Sequence, residues 1–151
     1  MRQLVVQFGL TLAIIIGYSQ LSVVQGVDMS EAKLKKVTEE CMKQTGVSLE
    51  QANLIMKDEL ENVDEKDFSH NMRCYLHCYH LQMNLTEADG TPISSAYVKF
   101  MENRFANKKE KVIPALLKCQ HVTDPDKCEF LFKFEMCMAH TIEGQGWEVT
   151  K

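Results

Sequence analysis

Six cysteines constrain this chain more than any other feature. They stand at Cys41, Cys74, Cys78, Cys119, Cys128 and Cys137, separated by 32, 3, 40, 8 and 8 residues. An even set of cysteines in a short chain reads as a disulfide framework if the compartment is oxidising, and as metal-binding or catalytic thiols if it is reducing. Six cysteines leave many pairings open, but helical geometry restricts them. Cys74 and Cys78 lie one turn apart on a single helix, so they reach two different partners most easily. Cys128 and Cys137 are about 180° apart round a helix and cannot bond to each other.

The N-terminus decides the compartment. Arg2 is followed by an uncharged apolar run through Leu4, Val5, Val6, Phe8, Leu10 and Leu12 to Ile16, with no further charge before Asp28. A basic start, a short apolar stretch and a small-residue exit make a secretory signal peptide. Residues 1–26 are therefore expected to be removed after Gly26, with the Gly17-Tyr18-Ser19 step as a second cleavage candidate. Gln7, Gly9, Gly17, Ser19 and Gln20 interrupt the run too often for a membrane anchor. The domain is then 27–151, secreted and extracellular. Loss of Arg2 with no acid takes the net charge from −4 to −5. Such a charge argues against nucleic acid, which needs a basic face, and against action on anionic membranes.

The mature segment reads as helices alone. Glu31–Lys35, Lys36–Glu40 and Glu39–Lys43 are i,i+4 pairs around a narrow Leu34, Val37, Cys41 stripe, and Gly46 stops this first helix, which opens near Ser30. Ser48 and Gln51 form a capping box for a second helix carrying Leu49, Ala52, Ile55 and Met56. Residues 58–67 are acidic and expected as a loop. A third helix, 68–85, places His70, Arg73, His77, His80 and Asn84 along one polar edge, expected in solvent. Met72, Tyr75, Leu76, Tyr79 and Met83 fall opposite. Asp89-Gly90-Thr91-Pro92 is a turn, after which Ser94 is expected to cap a fourth helix bearing Tyr97, Val98, Met101 and Phe105. A fifth helix runs through Val112, Ile113, Leu116, Leu117 and Cys119, started or kinked by Pro114. Asp124-Pro125 then reads as an N-cap and first-turn proline for a sixth helix ending near His140.

The cysteine spacing, with its Cys-x3-Cys and Cys-x8-Cys pieces, resembles the insect odorant-binding protein family, which includes the pheromone-binding and general odorant-binding proteins. The resemblance spans Cys41 to Cys137. It implies an all-α fold: a compact bundle of about six helices around an apolar cavity, braced by three disulfides. The implied bridges are Cys41–Cys78, Cys74–Cys128 and Cys119–Cys137. It also implies a non-enzymatic secreted carrier that solubilises small hydrophobic ligands, odorants or pheromones, for delivery to a receptor. Carriage of non-volatile ligands such as hormones, lipids or plant compounds is the alternative on the same fold. Neither metal nor cofactor is expected, and the carrier is expected as a monomer or weak homodimer.

Within that frame the expected lining is Met101, Phe105, Ile113, Leu116, Phe134 and Met138, with Met72, Leu76 and Tyr79 behind them. Met suits a site that must accept irregular ligand shapes. On the sixth helix Glu129, Lys133 and His140 read as a solvent edge, with Glu129–Lys133 an i,i+4 pair. Glu135 falls on the other side among Cys128, Leu131 and Phe132. A carboxylate there is costly unless partnered, so Glu135 is expected to be the polar group of the cavity, meeting a ligand hydroxyl or a partner such as Tyr97 or Arg104. The competing expectation turns it to solvent or to a nearby Lys. Trp147 and Val149 are the expected lid contacts of the tail, and His121 and His140 the expected pH-sensitive groups. Asn84-Leu85-Thr86 matches the glycosylation sequon and is expected to stay unmodified. Catalytic motifs such as a Gly-x-Ser-x-Gly elbow or His-Glu-x-x-His do not occur. A saposin-like protein has six cysteines on helices too, but at a different spacing.

Overall fold

Cys74 and Cys78 put the third helix at the centre of the molecule. A computed structural model describes residues 30–56 and 64–144, which form six α-helices: α1 Glu31–Thr45, α2 Leu49–Met56, α3 His70–Gln82, α4 Ser94–Arg104, α5 Val112–Cys119 and α6 Lys127–Glu143. Short 3-10 turns at Glu65–Asp67 and Ala106–Lys111 lead into α3 and α5. The expected signal peptide at residues 1–26 and the expected lid contacts Trp147 and Val149 lie outside the described residues, as does part of the acidic stretch after α2.

Local sequence explains where most helices begin and end. Ser30 caps α1 through its side chain, and Gly46 closes it with φ of 71°, a left-handed value that glycine adopts without strain. The Ser48–Gln51 box is reciprocal: Ser48 N–H donates to Gln51 Oε1 at 3.0 Å and Gln51 N–H to Ser48 Oγ at 3.2 Å. Ser69 caps α3.

Three caps and pairs differ from expectation. The N-cap of α6 is Asp126, whose carboxylate accepts the N–H groups of Cys128 and Glu129. Asp124 sits two residues earlier, accepting the Asp126 N–H at 2.9 Å and the Lys133 ammonium at 2.8 Å. Lys133 is thereby drawn away from Glu129, which pairs instead with Arg73 and His70 of α3. At α4 the capping position is Ile93, with no side-chain bond. Its start is fixed by the preceding loop, where the Ile93 N–H donates to the Leu85 carbonyl at 2.8 Å.

The bridges are Cys41–Cys78, Cys74–Cys128 and Cys119–Cys137, the set the resemblance implies. They tie α1 and α6 to α3, and α5 to α6. Cys128 and Cys137 leave opposite sides of α6, so that helix is gripped on two faces. Around these staples lies one apolar core: Val37, Tyr75, Leu85, Met101, Val112, Leu131, Phe132, Met138 and Ile142 are all buried.

The polar edge of α3 is where the sequence reading fails most. His70 is exposed, but His77 and His80 are buried. A helical projection shows which residues share an edge; it does not show that another segment covers half of that edge. Here the loop after α3 folds back, with Leu85 N–H on the His80 carbonyl at 2.9 Å. Gly90 (φ 91°) lies so close that a Cβ would fall 3.2 Å from the Lys127 carbonyl oxygen and 3.5 Å from the His77 ring. Phe100 of α4 packs edge-on to the His80 ring, with centroids 5.6 Å apart.

Candidate functional site

Glu135 is one of the buried polar residues at the centre of this core, with its side chain only 1% exposed. Its position follows from α6, which is apolar on nearly every side between Leu131 and Ala139. The carboxylate is met from α4. Tyr97 and Arg104 are seven residues apart, two turns on the same face, with Met101 between them. The Tyr97 hydroxyl donates a hydrogen bond to Glu135 Oε1, and Arg104 Nη1 donates to Oε2 at 3.2 Å. Both partners named from sequence are therefore present at once, and Glu135 turns neither to solvent nor to a Lys.

A fourth group completes the cluster. His80 Nδ1 lies 3.8 Å from Glu135 Oε1, too far for a hydrogen bond. That atom is buried and has no hydrogen-bond partner. The surroundings are aromatic: Tyr79, Tyr97 and Phe100 ring the imidazole, and Phe134 packs on Tyr97 at 5.7 Å between centroids. The Arg104 guanidinium lies over Phe105, 4.9 Å from its centroid.

This environment sets the protonation states. Burial pushes the His80 pKa below its ordinary value, and Arg104 and His77 add to that against the opposing pull of Glu135. The imidazole is accordingly neutral at pH 7. Tyr97 is driven well above the usual phenol range by burial first and then by the adjacent carboxylate, so its hydroxyl stays a donor. Among the described groups, the charges of Glu135 and Arg104 cancel.

Most residues expected to line a site lie inside the core. Met72, Leu76, Tyr79, Tyr97, Met101, Phe105, Phe134 and Met138 are all buried, and Leu116 is half-buried. Ile113 departs from the group at 48% exposed. Cys119 pins α5 so that Val112, Ala115 and Cys119 face inward, and one residue's rotation from Val112 carries Ile113 outward. Leu117, one turn on, is 61% exposed on the same outer side.

His80 is the cluster member that sequence reasoning missed. Nothing in the α3 sequence marks it, because the segments that bury it come from the loop after α3 and from α4. Of the expected pH-sensitive groups, His121 is exposed and bonds the Lys118 carbonyl, while His140 is half-buried on α6. Asn84 is exposed, in a left-handed conformation (φ 56°) just past α3. His70, Cys74 and Cys128 come close enough together to suggest a metal group, but both sulfurs are consumed in their mutual bridge, so no thiolate is on offer.

A helical shell stapled by three bridges, closing on a buried polar cluster in a Met- and aromatic-rich interior, defines the class of disulfide-braced all-α binding proteins. The chain belongs to the PBP/GOBP family, which it matches over residues 25–141. Members of that family are secreted extracellular proteins that bind small hydrophobic ligands. Among solved structures it is similar to a fatty acid binding protein, OBP56a, from the oral disk of the blowfly Phormia regina. The two share 27% identity over 78% of this chain and 97% of that one, with a TM-score of 0.57. No curated protein sequence matches the chain. No helix among the described residues is long and apolar enough to cross a membrane.

Proposed function

We propose that this protein is a secreted carrier that takes one small hydrophobic molecule from aqueous fluid into the interior between α3, α4 and α6. Residues 1–26 serve as its signal peptide and 27–151 as the working domain. Met72, Leu76, Tyr79, Tyr97, Met101, Phe105, Phe134 and Met138 supply the apolar wall, with Leu116 at its α5 side. Glu135 marks the polar end. The carrier acts without catalysis, as a monomer or weak homodimer, and hands its cargo to an odorant receptor at a sensory membrane.

One observation carries this reading: a carboxylate and a guanidinium are buried together where Met or Leu would pack at no electrostatic cost. Replacing a buried ion pair with apolar residues is often neutral or stabilising, so the pair is better explained by orienting a bound molecule than by holding the fold. Binding draws its free energy from burial of ligand surface, about 25 cal/mol per Å² before ordering costs.

Carriage of a non-volatile lipid outside olfaction is a second reading, favoured by the fatty acid bound by the blowfly protein. Displacement of a fluorescent apolar probe across matched alcohols, esters, aldehydes, acids and terpenoids tests the carrier itself. Displacement by none of them removes it. The tissue that expresses the protein separates the two readings: sensory organs support odorant carriage, and fat body or gut supports the lipid carrier.

A further inference from the structure

The unpaired His80 nitrogen faces a carboxylate that has room for another donor. Ionised Glu135 offers about four acceptor positions on its two oxygens. Tyr97 occupies one at Oε1 and Arg104 one at Oε2. His80 Nδ1 stands 3.8 Å from Oε1, buried in a ring of aromatic side chains and bonded to nothing. A buried polar nitrogen left in this state costs stability. Two atoms 3.8 Å apart can both be met by a single oxygen at about 3 Å from each.

We infer that His80 Nδ1 and Glu135 Oε1 form a subsite for the hydroxyl of an uncharged alcohol, the ligand accepting from His80 N–H and donating to Glu135. The inference rests on the carrier reading above and narrows it to a ligand class. A hydroxyl is the group that satisfies both atoms at once. An aldehyde or ester carbonyl accepts from His80 but gives Glu135 nothing. A hydrocarbon satisfies neither. A free carboxylate meets the charge of Glu135 in a site whose described charges already cancel, and a buried charge without a partner is strongly unfavourable. An alkyl ammonium is excluded on the same balance by the Arg104 guanidinium. The order of affinity at neutral pH is therefore alcohol, then aldehyde, then alkane, with the fatty acid of equal chain length below the alcohol. On this point the protein differs from its blowfly neighbour, which is named as a fatty acid binding protein.

The test uses the full mature chain and a displaceable fluorescent probe, with a saturated alcohol, aldehyde, carboxylic acid and alkane of one chain length at pH 7.4. The alcohol is expected to bind about tenfold tighter than the aldehyde, a difference of about 1.4 kcal/mol. His80→Phe keeps the aromatic surroundings but removes the donor, and brings the alcohol down to the level of the aldehyde. His80→Asn carries an amide N–H close to the Nδ1 position and retains part of the preference. An acid that binds best, or an alcohol preference that survives His80→Phe, overturns the inference and leaves the carrier standing. Failure of all four ligands to displace the probe overturns the carrier reading and the inference with it. If His80→Phe does not fold, the wild-type ranking alone decides, since an alcohol no tighter than the aldehyde is sufficient to reject the subsite.

Discussion

The Arg104 guanidinium meets the Glu135 carboxylate at 3.2 Å in a part of the core where the two side chains are only 5% and 1% exposed. Neither group is within ready reach of bulk water, so each relies on the other for a polar partner. Removing one partner strands its mate. Glu135→Met or Arg104→Met alone is expected to lower stability by about 3–5 kcal/mol. The double replacement Glu135→Met with Arg104→Met costs much less than the sum. Urea denaturation of the four proteins reads the coupling directly. Additive losses would mean the pair does not act as a unit.

Acid should loosen the core through its buried histidines. Burial lowers the His80 pKa in the folded chain, and His77 is shifted the same way, first by burial and then by Lys127. The unfolded chain takes up protons near pH 6.5 while the folded chain resists them. Full stability is therefore present above that pH and falls as pH drops from about 6.5 toward the folded values, by at most about 1.4 kcal/mol per pH unit for His80. Denaturation midpoints at pH 7.5, 6.5 and 5.5 show this slope. His80→Phe reduces it, and an unchanged slope would assign the acid sensitivity elsewhere.

Sequence alone reached the helices, the bridges and the Glu135 partners because each depends on short-range rules or on a spacing with one family behind it. Ser48–Gln51 is visible as a box, and Glu135 is visible as a carboxylate on the wrong side of a helix. His77 and His80 were not visible, because their burial is caused by residues 85–100 folding over an edge that α3 by itself leaves open. Ile113 was misread for a related reason. An eight-residue helix has apolar residues all round, and the bridge at Cys119, not periodicity, selects which of them face in. The cap of α6 slipped by two residues because Asp124 and Asp126 carry the same chemistry, and only the tertiary contact with Lys133 separates their roles.

Gly90 is where that covering loop touches down. Its φ of 91° and the 3.2 Å approach of the Lys127 carbonyl and the Phe130 ring to a would-be Cβ make any side chain there both strained and crowded. Gly90→Ala is expected to cost more than about 1 kcal/mol, and to raise hydrogen exchange at the amides of residues 85–93. Gly46 makes a useful comparison, since its left-handed φ of 71° is met by open space. Gly46→Ala carries backbone strain without a clash and should leave exchange in the 85–93 loop as it was.

The bridges are not equal in what they restrain. Cys119–Cys137 closes a separation of 18 residues and Cys74–Cys128 one of 54. By loop-closure entropy their removal as paired Ser substitutions costs about 3 and about 4 kcal/mol respectively. Thermal melts of the two variants give the order. A larger loss at Cys119–Cys137 would show that native contacts between α5 and α6, not chain entropy, dominate.

Every cysteine sits on α1, α3, α5 or α6. The wall that carries Tyr97, Met101 and Arg104 is held by packing, the pair with Glu135 and the two loops at its ends, with no covalent anchor of its own. A molecule that admits a guest without unfolding must yield somewhere; α2 and α4 are the two helices without a bridge, and α4 is the one that bears on Glu135. The side chains that meet Glu135 from outside α6 thus stand on a helix that no bridge holds, so the same bonds that would read a guest are among those that seat α4 on the core.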